Sequence, residues 1–166
     1  MNNVVSEFEL YPPMMEWLEQ YLRDSYHNQN VRIFVRDTHS IYLDRALQQI
    51  GILDSFPEIV GLKIQIDVLG VVISSRRNEL FFIEAKKTPL VLKDLGQLLI
   101  YCKLCNPTKA FLLSSYGLGT LSTVLINSGR VDLLDYGFGR SLRKIHVAKW
   151  DVLRKNIDYT SMIPTL

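Results

Sequence analysis

Residues that build redox and zinc sites are scarce in this chain. Its 166 residues include two cysteines and three histidines. Cys102 and Cys105 stand three apart in an apolar stretch of helical spacing. They fall late in that helix, whereas a thioredoxin-type pair opens a helix just after a strand. Zinc takes about four ligands. No second cysteine pair exists, and His27, His39 and His146 are scattered. Both cysteines are therefore read as buried packing residues. Long apolar runs are missing too. None reaches the ~18 uninterrupted residues of a membrane span, so no membrane partner is expected. The opening MNNVVSEFEL has no basic segment followed by an apolar core. No secretory leader is expected from it, and the expected compartment is the cytoplasm. Charge of one sign is also modest: 19 Lys and Arg against 17 Asp and Glu leave a net +2. That balance permits a nucleic-acid partner without demanding one. SSYGLGT has glycines but neither the lysine nor the spacing of a phosphate loop. Repeats, low-complexity tracts and linkers are absent, so one domain over 1–166 is expected.

What is present is a hydrophobic fraction of 48%, enough for a genuine core at this length. Met14, Trp17, Leu18, Tyr21 and Leu22 recur at helical spacing behind Pro12 and Pro13. The helix starts either near Ser6 or at the prolines, and Ser6 with Glu9, in the form of a capping box, favours the earlier start. Residues 31–35 (VRIFV) read as a strand. Residues 40–50 read as a helix closed by Gly51. Residues 62–71 read as a strand joined through SSRRN to a second strand over 80–86. Thr88 and Pro89 open a helix that runs to about Cys105. Residues 110–114 form a buried strand after that crossover. A last helix spans 118–127, and 131–134 and 144–148 read as two short edge strands. The apolar tail from Trp150 either supports a homodimer or packs on its own domain. The order implies an α/β fold with a mixed central sheet flanked by helices.

The informative stretch is 62–105, where charge interrupts two apolar runs. Asp67 lies in the first run, and Glu84 and Lys86 lie in the second. Strand period puts Glu84 and Lys86 on one face and Ala85 on the other. An unpaired buried charge costs several kcal/mol, and a metal with a phosphate offsets that cost. Asp67 and Glu84 on neighbouring strands would offer oxygen ligands to Mg²⁺ or Mn²⁺, with the Ala85 carbonyl as a further ligand. Lys86 would orient the attacking water and stabilise charge on the phosphate. Gln97, in the next helix, would fix the water or the phosphate. Tyr101 shares its face at i+4, and Lys93, at i−4, would meet a backbone phosphate.

Asp67 followed by Glu84-Ala85-Lys86, with Gln97 and Tyr101 forming QxxxY, resembles the PD-(D/E)xK nuclease superfamily and its RecB-like branch. The resemblance covers about residues 6–114. Ile66 stands where that pattern has proline. SEFELYPP is similar to the first helix of stand-alone members, where an acidic residue, here Glu7 or Glu9, approaches the metal. The resemblance implies a restriction-endonuclease-like core (helix, three strands, helix, strand), a Mg²⁺-dependent deoxyribonuclease activity and DNA as partner. Two other readings stay open. One is a nucleic-acid-binding module that keeps the fold without turnover. The other is an interaction protein in which Glu84 and Lys86 form a structural ion pair. Asp37 and Asp44 are read as a turn residue and a helix-surface charge.

Overall fold

The computed structural model describes residues 6–166. The expectation of no leader rests partly on residues 1–5, outside the described residues. Ser6 caps the chain's first turn. Its hydroxyl accepts from the Phe8 N–H, and the Glu9 carboxylate takes the Ser6 N–H at 3.2 Å. A 3-10 turn over Glu7–Leu10 leads into helix α1, Tyr11–Ser25, which admits Pro12 and Pro13 in its first turn.

The sheet has six strands. They are β1 (Arg32–Asp37), β2 (Val68–Ile73), β3 (Asn78–Lys86), β4 (Lys109–Ser114), β7 (His146–Asp151) and β8 (Asn156–Ile163). In space they run β1-β2-β3-β4-β7-β8. Pairs β1/β2, β2/β3 and β7/β8 are antiparallel, whereas β3/β4 and β4/β7 are parallel. The sheet is thus mixed, as the element order implied. Two short strands, β5 (Asp135–Tyr136) and β6 (Arg143–Lys144), pair separately.

Helices cover both faces. Met14, Trp17, Leu18 and Leu22 of α1 pack against Val68, Val72, Phe81 and Ile83. Gly70 permits this approach, because a Cβ there would meet Leu18 Cδ2 at 2.9 Å. Helices α2 (Leu43–Ile50) and α3 (Leu92–Cys105) cover the opposite face, joined by α4, Gly119–Ser122. Beyond α4 the coil widens over Thr123–Asn127, where the Ser128 N–H reaches back to the Thr123 carbonyl at 3.1 Å. Gly51 closes α2 at φ +84°. Cys102 and Cys105 lie buried and free in this second core, and burial pushes the Cys105 thiol up to about 12. They pack, as expected.

Five expectations change. Helix α3 starts at Leu92, behind Val91, rather than at Thr88 and Pro89. Residues 62–67 do not join a ladder. Lys63 sits at φ +53°, the Ile64 carbonyl takes the Leu43 N–H, and the Ile66 carbonyl takes the Thr38 hydroxyl. Their backbone partners lie toward α2, so β2 begins only at Val68. Helix α2 starts at Leu43 rather than near residue 40, with Tyr42 extended ahead of it. Val131–Leu134 is a 3-10 turn that buries Leu134 alone, not a strand. Finally, β7 is interior because β8 covers its outer side. The tail therefore packs on its own domain, with Trp150, Ile157 and Met162 in the α1-side core. Among the described residues no helix is long and apolar enough to cross a membrane.

Candidate active site

The sheet brings one group of charged side chains together at the C-terminal end of β3. Val68 pairs with Ile83 at the end of the β2/β3 ladder, so Asp67 and Glu84 follow directly beyond it. Had β2 continued in register, Ile66 would have faced Ala85. Instead the Asp67 carboxylate replaces the missing strand: Oδ2 accepts the Ala85 N–H at 2.8 Å. Oδ1 accepts the Tyr11 hydroxyl at 3.0 Å, and the Asp67 carbonyl takes the Thr38 N–H at 2.9 Å. These contacts anchor Asp67 from β3, from α1 and from the loop after β1.

Glu84 is buried at 4% exposure and meets Lys86 at 2.9 Å through Oε1. Its other oxygen, Oε2, is inaccessible and has no hydrogen-bond partner. Among the described residues only the Trp150 indole N–H shares that condition, and it lies within the α1-side core. Burial, then the neighbouring Asp67 carboxylate, push the Glu84 carboxyl up to about 7, with Lys86 opposing the rise. Asp67 is also raised, by burial above all, against the Ala85 N–H and Lys86. For Lys86, burial opposes the charged form, but Glu84, Asp67 and Glu7 outweigh it and its pKa rises. Tyr11 is raised too, by burial and then by Asp67, so its proton stays on and its hydroxyl remains a donor.

Glu7, not Glu9, is the acidic residue of the first turn that faces this group. Its Oε2 accepts the Lys87 N–H at 3.2 Å, and its charge acts on Asp67, Glu84 and Lys86. Glu9 turns back to the Ser6 N–H. Ala85 meets Asp67 through its N–H, a role the sequence did not indicate. On α3, Gln97 and Lys93 are exposed and Tyr101 is half-buried against the second core. Among the described residues no hydrogen bond joins any of these three to Asp67, Glu84 or Lys86. Tyr11 and Thr38 went unnoticed in the sequence, since nothing local distinguishes a tyrosine before two prolines as a carboxylate's partner. Asp37 does more than end a strand. It holds His39, whose Nδ1–H donates to Oδ1 at 2.5 Å.

A buried carboxylate with an unpartnered oxygen, a second carboxylate fixed beside it and a lysine on the first can hold a cation or relay a proton. Among the described residues, no three acidic, histidine or cysteine side chains converge in metal-ligand geometry. Mg²⁺ typically takes only one or two carboxylates and keeps several waters, so the donor set fits a hydrated divalent ion rather than a closed cage. Comparison with family models, curated proteins and solved structures gives no match.

Proposed function

We propose that the chain is a metal-dependent nuclease that hydrolyses DNA phosphodiester bonds, built on a restriction-endonuclease-like core. The observation that carries this reading is Glu84 Oε2, buried without a partner beside Asp67 and Lys86. A strand that needed only an ion pair gains nothing from leaving that oxygen open, because an unsatisfied buried polar atom costs about 1–3 kcal/mol. Asp67 and Glu84 are the residues to hold Mg²⁺ or Mn²⁺, which when bound lowers the pKa of water and polarises the phosphate. Tyr11 and the Ala85 N–H fix the Asp67 carboxylate before any ligand arrives. Lys86 lies where it can orient water and stabilise charge growing on the phosphate. Glu7 adds negative potential at the same edge. Gln97, Lys93 and Tyr101 would meet the substrate from α3.

The closed contact between Lys86 and Glu84, with no three-carboxylate group among the described residues, favours a second reading. In it the domain holds nucleic acid without turnover. Supercoiled plasmid and a labelled single strand, incubated with Mg²⁺, Mn²⁺ or EDTA, separate the two. Metal-dependent cleavage lost in folded Asp67→Ala and Lys86→Ala variants is the expected result. Salt-sensitive binding without cleavage in any metal would overturn the nuclease reading.

A further inference from the structure

Phe8 follows Glu7 in the chain and is 60% exposed. It is nevertheless held. Its ring packs on His39 at 4.7 Å and on Tyr11 at 5.8 Å, and those two rings lie 5.2 Å apart. Each supporting ring is fixed in turn. His39 is tied to Asp37 through Nδ1 and through its backbone N–H at 3.1 Å, and the Tyr11 hydroxyl is bonded to Asp67. The result is a preorganised aromatic surface one side chain away from the Asp67 carboxylate. One side of the Phe8 ring rests on protein and the remainder faces solvent. On the β4 side of the same edge stands Tyr116, 71% exposed. It follows Ser114, which pairs with Lys86, and Ser115, whose N–H donates to the Lys86 carbonyl at 3.0 Å. The charged group thus lies between two exposed rings, one toward β1 and one toward β4.

We propose that Phe8, backed by His39 and Tyr11, is a stacking platform for an unpaired base, and that this edge therefore takes single-stranded DNA in preference to duplex. The inference rests on the nuclease reading for its choice of ligand. Every base offers a π-face, so such a platform is sequence-tolerant, and it requires bases released from their own stack. Within a duplex those faces are already occupied by neighbouring pairs. A strand lying across the edge would set a base on Phe8 with the adjoining phosphate toward Lys86, the cationic member of the charged group.

Fluorescence anisotropy in EDTA, where cleavage plays no part, tests this with three labelled probes of one length. These are an oligothymidylate, an abasic backbone without bases, and a duplex. The wild-type chain is expected to bind the oligothymidylate about 5- to 100-fold more tightly than the abasic strand. Phe8→Ala should erase most of that difference while leaving abasic affinity unchanged, and Phe8→Trp should restore it. Matched thermal melts confirm that the exposed substitution leaves the fold intact. Equal affinity for both strands in the wild type, or an equal loss on both in Phe8→Ala, would overturn the platform. The cleavage assay is scored separately. A base-dependent difference without metal-dependent cutting would keep the platform and remove the nuclease reading, whereas cutting without that difference would do the reverse.

Discussion

Strand β3 buries two glutamates five residues apart, roughly 17 Å along the strand, and treats them differently. At the N-terminal end, Glu79 accepts from Tyr26 at 3.0 Å, from Arg77 at 2.8 Å and from Thr108 at 3.0 Å. Both its oxygens have partners. At the C-terminal end, Glu84 has Lys86 on one oxygen and nothing on the other. The two sites are equally dry, at 6% and 4% exposure. Burial alone therefore does not separate the two carboxylates; hydrogen-bond satisfaction does. Cavity size does not mark Glu84. A cavity of about 600 Å³ opens beside Glu79, lined by Tyr26, Arg77 and Lys109, while the Glu84 end is defined by its charges.

The contrast breaks most sharply with activity as the readout. Lys86→Ala should lower metal-dependent cleavage by about 100- to 1000-fold, in line with loss of one transition-state donor. Changing Glu79 should leave cleavage unchanged, since it lies at the far end of the strand.

Stability against pH gives the next largest effect. The folded pKa of Glu84, about 7, lies above its ordinary 4.5, so the unfolded chain releases this proton first. Stability is then complete below 4.5, falls as pH rises from 4.5 to 7, and stays reduced above 7. Glu84→Gln removes that loss. It should stabilise the fold by about 2 kcal/mol at pH 8, or about 4–8 °C in Tm, and by almost nothing at pH 4. A constant difference across pH in thermal melts would contradict the open-site description.

Glu79→Gln should do the opposite and on a smaller scale. It keeps one acceptor oxygen but weakens the charged contact to Arg77 and leaves Tyr26 and Thr108 competing for it. A loss of about 1 kcal/mol is expected from chemical denaturation at neutral pH.

The same comparison shows what the chain's letters could and could not carry. Glu84 and Lys86 were legible because charge at alternate positions of an apolar strand breaks a local rule. Asp67 was legible as a charge in an apolar run, yet its position just ahead of β2 was not. That depends on Lys63 at positive φ and on bonds from Thr38 and Leu43. The capping box settled where the first turn begins, and that same box commits Glu9 to Ser6, leaving Glu7 at the site. Tyr11 and Thr38 are tertiary partners with no sequence period to reveal them, and the Asp37–His39 contact is a local turn bond that no periodicity marks. Strand β8 was missed because only Ile157 and Met162 of its eight residues are buried, too few for an alternating pattern. The mixed character of the sheet, by contrast, followed from the order of elements.

The central claim is that Glu84 is a buried carboxylate left open for a cation. Its side-chain carboxyl, followed by ¹³C NMR across pH with and without Mg²⁺, tests that claim most directly. The account predicts a midpoint near 7 without the ion, falling by at least about one unit when Mg²⁺ is added, since the ion binds only the deprotonated form. A midpoint at the ordinary glutamate value, or one that Mg²⁺ leaves unmoved, would contradict it and leave Glu84 as a structural partner of Lys86.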